Sequence, residues 1–200
     1  MNSSESHQKN IQAGGNVVGR DNIVYYNNQT PQITWYQRKF KCLADEIEKD
    51  QRYDQIIEDL KYYDTLLDGT KGLEEKLIDG GRNSDEIARA IRQKQKFAKK
   101  QEKYKYYESA QQINSHLFAE ILFKFDDHIK PLIEKNTCKE EIFTAVSHLV
   151  IEPILQMLYS EGAYDDHLCY DAEDVYGMVY YLTGQCHINW KNYSDVQSSL

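Results

Sequence analysis

Apolar residues recur along the chain with two different spacings, and the spacing changes near residue 34. Residues 11–28 read as three six-residue units, each of which opens on a β-branched residue and closes on asparagine. From residue 34 onward, apolar residues recur at steps of three, four and seven, as on an amphipathic helix. The pattern predicts a mainly α protein, a helical bundle with long helices and a short Gly/Asn-rich β-type element at its N-terminus.

Glycine and proline positions divide the helical part into segments. We expect helices over 34–67 (one helix or a kinked pair), 73–78, 84–125 (one long helix or two collinear ones), 139–158 and 172–190. The Gly80-Gly81 pair should end the second helix in a left-handed cap, and Asn83 or Ser84 should cap the third. Pro153 should kink the fourth helix, and a loop should span 160–170.

The predicted organisation is a disordered segment over 1–10, the β-repeat element over 11–28, a linker over 29–33, an α-helical domain over 34–190 and a flexible tail over 191–200. No single repeat unit can bury its own apolar face, so such units need stacked neighbours or partner chains. We therefore expect this element to oligomerise the chain, as a trimer or with another copy number. The residues expected to carry that contact are Ile11, Val17 and Ile23 in a buried row and Gly14, Gly15 and Gly19 at the corners.

Charge is distributed unevenly along the chain. The net charge of −8 disfavours attraction of the whole molecule to nucleic acid. The segment 82–105 nevertheless holds nine basic and three acidic residues, while 161–200 holds seven acidic residues and one lysine. We favour two interpretations of the basic segment, a solvated helix face or a dock for an acidic partner protein. The alternative is a contact surface for nucleic acid. The acidic segment could pair with the basic segment within one chain or between copies. The contact residues predicted are Arg89, Arg92, Lys96, Lys99, Lys100 and Lys103.

Tyrosines follow the lysines of the basic segment. Tyr104, Tyr106 and Tyr107 either stack on bases in a nucleic-acid complex or serve as core and rim residues of the bundle.

Catalytic and metal-binding signatures are missing from the sequence. It contains no GxSxG elbow and no phosphate-binding glycine loop, and the pairs His148/Glu152 and His116/Glu120 lack the second histidine of a zinc site. His128 reads as a helix-end contact. The four cysteines form no CxxC pair, and we expect them to be reduced and mostly buried. These patterns favour a protein that is not an enzyme and that holds no cofactor or metal.

The N-terminus lacks the basic start and apolar stretch of a signal peptide, and no apolar run approaches the roughly 20 residues that span a bilayer. We therefore expect a cytoplasmic protein without a membrane partner.

Several sequence blocks resemble one known family. Residues 12–22 (QAGGNVVGRDN) resemble a short element found ahead of domains in bacterial conflict-system proteins. The blocks 68–77 (DGTKGLEEKL), 80–82 (GGR), 107–113 (YESAQQI) and 177–190 (GMVYYLTGQCHINW) resemble the C-terminal domain of the third protein in bacterial ABC-ATPase three-component (ABC-3C) systems. The resemblance extends over most of 11–190.

The resemblance implies a role in anti-phage or inter-genomic conflict beside an ABC-type ATPase and a small middle component. Third components often carry an effector domain ahead of the helices, whereas only the glycine-rich repeats precede them here. We therefore expect a non-enzymatic, oligomeric scaffold or sensor-adaptor whose effector is another chain. The alternative is a nucleic-acid-binding module that uses the basic segment 82–105.

Overall fold

A computed structural model describes residues 33–67 and 71–192, and these residues are mainly helical, with no strand among them. The mainly α fold class is therefore confirmed. The repeat units at 11–28, with the six residues assigned to oligomerisation, lie outside the described residues, as do 1–10, most of the linker and 193–200. The described helices are α1 Trp35–Glu48, α2 Glu58–Asp64, α3 Leu73–Asp79, α4 Ser84–Tyr104, α5 (Glu108–Lys124, continued without a break by Phe125–Ile129 and Lys130–Glu134), α6 Lys139–Tyr164 and α7 Ala172–Gly184.

The first predicted stretch, 34–67, is two separate helices joined by a loop over 49–57. Thr34 starts α1 with a capping box, because its hydroxyl accepts the N–H of Gln37 while the Gln37 side chain accepts the N–H of Thr34. The chain leaves α1 where Asp50 adopts a φ of +47°, a value that a continuing helix does not allow. The prediction of one helix is wrong, and the pair is separated by a loop rather than by a kink.

The turn between α3 and α4 follows the predicted signals. Gly80 ends α3, and Gly81 adopts a φ of +82°, a left-handed conformation that glycine tolerates. Asn83 then caps α4 by accepting the N–H of Glu86 at 2.9 Å, and Glu86 accepts the N–H of Asn83 in return. These local hydrogen bonds set the start of the basic helix, as predicted.

The predicted stretch 84–125 is divided into α4 and α5, because Tyr107 is extended. Gln111, which is fully buried, stabilises this break. Its amide nitrogen donates to the carbonyl of Lys105 at 2.7 Å and to that of Gln55 at 2.9 Å, and its amide oxygen accepts the N–H of Ile57 at 2.7 Å. One side chain thus satisfies three backbone groups from two connections.

Both long helices continue through a proline by widening into a π-helical segment. Phe125–Ile129 precedes Pro131 in α5, and Val146–Ile151 precedes Pro153 in α6. Proline lacks an N–H and crowds the preceding turn, and a π turn accommodates this by lengthening the hydrogen-bonded loop. α5 therefore extends beyond its predicted end, and His128, expected at a helix end, lies inside it. α6 also continues past its predicted end into the expected loop.

The last helix is shorter than predicted. α7 ends at Gly184 rather than at residue 190, and Cys186 adopts a φ of +67° just after it. The chain then folds back, so that Trp190 is buried and its Nε1 donates to the hydroxyl of Thr183 at 3.1 Å. Trp190 thereby enters the core as a turn residue, although its spacing from Cys186 suits a helix.

α5 and α7 supply much of the core. Buried apolar residues occupy several sides of both helices, among them Ile113, Leu117, Phe118 and Ile121 on α5 and Val175, Met178, Val179 and Leu182 on α7. Phe118 stacks on Tyr181 with 5.7 Å between ring centroids, and Phe97 of α4 meets both rings edge-on. These rings join α4, α5 and α7 at one point.

One helix of the described residues, α6, is long and apolar enough to cross a membrane by length and composition alone. The prediction that no run approaches that length is therefore wrong for α6. One such helix is weak evidence for a span, because core helices pass the same test, and 33% of its most apolar window is buried. Its buried residues, including Ile142, Val150 and Ile154, belong to the common core.

Candidate functional site

The predicted contact residues all lie on α4, which packs along α7 at very short range. Gly177 makes this approach possible, because a Cβ there would lie 2.7 Å from the Cβ of Phe97 and closer still to the carbonyl oxygen of Gln93. Helix backbones come this close only where a residue has no side chain. The contact places the N-terminus of α7 beside the middle of the basic helix.

The acidic start of α7 neutralises part of the basic helix. Lys96 donates to Asp171 at 2.6 Å and to Glu173 at 3.3 Å, and Lys100 donates to Asp174 at 2.5 Å. These bonds link residues about 75 positions apart. Of the two possible pairings of the acidic and basic segments, within one chain or between copies, the structure shows the one within the chain. The carboxylates also suit the positive end of the α7 dipole.

Asp171 combines this ion pairing with a cap, since it accepts the N–H of Asp174 at 3.0 Å as the N-cap of α7. Burial acts to raise the pKa of Asp171. The hydrogen bonds from Lys96 and from that N–H, with the charge of Lys96, outweigh burial and hold the pKa below its ordinary value. Asp171 therefore stays ionised and keeps Lys96 engaged at neutral pH.

The other four predicted contact residues are exposed. Arg89, Arg92 and Lys99 pair with no carboxylate among the described residues, and Lys103 lies over the ring of Tyr104 at 4.7 Å. Arg92, Lys99 and Lys103 are seven and four residues apart, so they form one row along the helix. We call these three residues the outer basic row. It offers three cations that no carboxylate of the described residues neutralises.

The tyrosines beside the lysines divide between core and rim. Tyr104 is buried in the core, which removes it as a platform for bases, whereas Tyr106 is 39% exposed. Lys105 lies over the Tyr106 ring at 4.9 Å. The aromatic support for nucleic-acid binding is therefore weaker than the sequence suggests.

Potential metal ligands do not cluster in the described ranges. Within 33–67 and 71–192, no three His, Cys, Asp or Glu side chains are placed to hold a metal ion. His148 pairs with Glu152 at 3.0 Å, and His116 meets the hydroxyl of Tyr36 at 2.9 Å.

All four cysteines are free, as expected, but the prediction that most are buried is wrong. Cys138 and Cys169 are exposed, while Cys42 and Cys186 are half-buried. The reason is local: Cys138 is the N-cap residue of α6, and Cys169 occupies a positive-φ turn. Both positions lie at the ends of connections, where little packs over a side chain.

A family model for C-terminal domain 9 of the ABC-three component (ABC-3C) systems matches residues 72–190, which is more than half of the chain. The chain belongs to this family. The match confirms the resemblance seen in the sequence, over a narrower range than 11–190. No curated protein and no solved structure matches the chain. As a component of an ABC-3C system, the chain works with the other components of that system.

The ABC-3C domain covers α3 to α7, so the α4–α7 contact and the outer basic row lie wholly inside it. It also holds a buried lysine that the sequence did not single out. Lys76 is 2% exposed, and its Nζ donates to the carbonyl of Thr183 at 3.0 Å. The sequence signal that could have identified Lys76 as buried is its position on the inward side of the short helix α3.

A half-buried carboxylate, that of Asp64, joins α2 to the ABC-3C domain. Asp64 accepts from the hydroxyl of Tyr181 at 2.9 Å and from the amide of Gln101 at 3.1 Å. Burial raises the pKa of Asp64 above its ordinary value, although both hydrogen bonds oppose this. Burial, with the nearby Asp64 charge, also raises the pKa of Tyr181 to about 12. Sequence spacing could not bring these three residues together.

Proposed function

We propose that the chain is a non-enzymatic, oligomeric scaffold or sensor-adaptor of a bacterial anti-phage ABC-3C system. In this proposal it acts in the cytoplasm with an ABC-type ATPase, a small middle component and an effector on another chain. The outer basic row carries the proposal. It lies inside the family domain, on a helix held against α7, and it remains unneutralised while Lys96 and Lys100 already have acidic partners. Exposed like charges in one row are suited to an acidic protein surface.

The docking role is tested by charge reversal. The triple variant Arg92→Glu, Lys99→Glu, Lys103→Glu should lose co-purification with the ATPase or the middle component expressed from the same operon. The matched control reverses three other exposed lysines, Lys49, Lys130 and Lys135, and so carries the same net charge. The control should retain the partners. Equal retention by both triple variants would refute docking through this row.

The assembly role concerns the repeat units at 11–28. Three β-branched residues that cannot be covered within one unit favour contacts between copies. Removal of residues 1–28 should reduce the mass in solution, measured by light scattering, to that of a monomer. An oligomer of unchanged size would reject the assignment of Ile11, Val17 and Ile23.

A second candidate function, nucleic-acid binding, is favoured by the exposure of the same row. Three phosphate contacts predict a slope of about −2.7 for the logarithm of the binding constant against the logarithm of the salt concentration. This slope corresponds to about a 40-fold loss of affinity between 50 and 200 mM salt. Fluorescence anisotropy with DNA and RNA at both salt concentrations measures this slope. Reversal should again be made at Arg92, Lys99 and Lys103, because reversal at Lys96 or Lys100 would break ion pairs of the fold. No binding at 50 mM salt would exclude this function.

A further inference from the structure

A pocket of about 220 Å³ lies between α4, α6 and α7, and no residue of the outer basic row lines it. Arg82, Arg89 and Gln93 line it from the α4 side, Phe143 from α6, and Tyr176 and Tyr180 from α7. The rings of Tyr176 and Tyr180 are stacked, with 6.4 Å between their centroids. The Arg82 guanidinium lies over the ring of Phe143. The pocket therefore has aromatic walls and several hydrogen-bond donors.

Two of these side chains are largely buried, but their polar atoms stay open to solvent and make no hydrogen bond in the described ranges. Gln93 is 4% exposed and Tyr180 is 6% exposed. Within the part of the chain that the structure describes, no hydrogen bond satisfies the Gln93 amide or the Tyr180 hydroxyl. The Gln93 amide and the Tyr180 hydroxyl are therefore available to donate hydrogen bonds to an occupant with polar atoms.

The charge of the pocket limits what that occupant can be. Glu86 is committed, because one of its oxygens accepts from Arg82 at 2.8 Å and the other from the N–H of Asn83 at 2.9 Å. Arg89 pairs with no carboxylate in the described ranges, so one positive charge remains. Burial raises the pKa of Tyr180, and the charges of Arg82 and Arg89, which line the same pocket, act in the opposite direction.

We propose that this pocket binds a carboxylate group, held by the Arg89 guanidinium and by donors from Tyr180, Tyr176 and Gln93. One negative charge balances the one free positive charge. A phosphate dianion would place a second negative charge beside Glu86, which is unfavourable at such short range. The aromatic rings can cover the carbon atoms attached to the carboxylate. Its source is either a small carboxylic acid or the carboxylate of a polypeptide. This binding site is independent of the docking proposed for the outer basic row.

Nuclear magnetic resonance of the full chain tests the proposal. The centroid of the Trp190 ring lies 6.4 Å from that of Tyr180 and 5.2 Å from that of Phe143, whereas Trp35 lines a different groove. The indole N–H signal of Trp190 therefore reports on the pocket, and that of Trp35 serves as the internal control. Acetate, N-acetylglycine and inorganic phosphate are titrated separately in chloride buffer at pH 7.5. Both carboxylates should shift the Trp190 signal saturably and leave the Trp35 signal in place. If N-acetylglycine binds more tightly than acetate, the natural carboxylate belongs to a polypeptide. If the two bind equally, it belongs to a small carboxylic acid. No saturable shift with either carboxylate, or tighter binding of phosphate, would overturn the proposal.

Substitutions separate specific binding from general charge effects. Arg89→Gln and Tyr180→Phe should each weaken acetate binding by about tenfold, the range expected for a hydrogen bond to a charged group. Arg92→Gln, three residues along the same helix and outside the pocket, should bind as the natural chain does. Neither pocket variant should lower the unfolding midpoint, because neither removed group has a hydrogen-bond or ion-pair partner within 33–67 and 71–192. Equal weakening by Arg92→Gln would overturn the assignment.

Discussion

The close contact between α4 and α7 predicts that Gly177→Ala destabilises the domain. Helix propensity alone would favour alanine by about 1 kcal/mol. The added Cβ would lie 2.7 Å from the Cβ of Phe97 and closer to the carbonyl oxygen of Gln93. Both obstacles belong to the backbone or are attached directly to it, so no change of rotamer can relieve the overlap. The two helices must move apart.

The separation would disturb the ring cluster of Phe97, Phe118 and Tyr181, in which Phe97 is fully buried. Overpacking of a well-packed core typically costs about 1–3 kcal/mol. With a backbone carbonyl as the obstacle, we expect the upper end of that range, and a net loss of about 2 kcal/mol after the propensity gain. For a domain of this size, that loss lowers Tm by about 4–8 °C.

Urea unfolding followed by circular dichroism, together with a thermal scan, measures this effect. Gly162→Ala is the matched control, since a Cβ at Gly162 meets nothing within 4 Å. Gly162→Ala should leave the free energy of unfolding unchanged or raise it by up to about 1 kcal/mol, because alanine lowers the conformational entropy of the unfolded chain. If Gly177→Ala unfolds at the same urea concentration as the control, the two helices are not in backbone contact and the reasoning fails.

Three further predictions follow from individual groups. The N–H of Asn83 and the Arg82 guanidinium hold the pKa of Glu86 below its ordinary 4.5, so the ionised Glu86 side chain stabilises the fold fully above pH 4.5 and loses this effect as the pH falls through its lower folded pKa. Glu86→Gln should therefore be less stable than the natural chain at pH 7, and the difference in stability should close toward pH 3. A difference that does not depend on pH would contradict this. Burial raises the pKa of Asp64 above 3.8, so ionisation of this side chain lowers the stability of the fold as the pH rises past 3.8. Asp64→Asn should unfold at a higher urea concentration than the natural chain at pH 7 and at the same concentration at pH 3. A variant that is less stable than the natural chain at pH 7 would refute this direction of the effect. Cys138 is exposed, whereas burial raises the pKa of the Cys169 thiol and so slows its reaction with a thiol reagent. The fast phase should therefore count one thiol and vanish in Cys138→Ser, and a fast phase that survives in this variant would contradict the prediction.

Signals that act within a few residues were sufficient to predict much of the fold. The capping box of Asn83 and Glu86 and the left-handed Gly81 were predictable, because the groups that form these hydrogen bonds are neighbours in the chain. Helical spacing likewise predicted a mainly α domain, and opposite charges indicated that the segments around Lys96 and Asp171 could pair, within one chain or between copies. The family resemblance was also present in the sequence blocks.

Long-range contacts decided the rest. Only the packing of α7 on α4 determines that Lys96 and Lys100 are neutralised while Arg92, Lys99 and Lys103 stay exposed, although all five share one charge. Spacing could not show this, since it describes one helix and says nothing of its neighbour.

The end of α7 has the same explanation. Trp190 continues the helical spacing, but it gains more by folding back onto Thr183 and the rings of the core than by extending a helix toward solvent. The break before α5 depends on three hydrogen bonds from Gln111, two of them to residues more than 50 positions away. The sequence by itself determined which segments become helices, because that choice is local. The tertiary structure decided where they end and which charges remain free, because burial and pairing depend on partners distant in the chain.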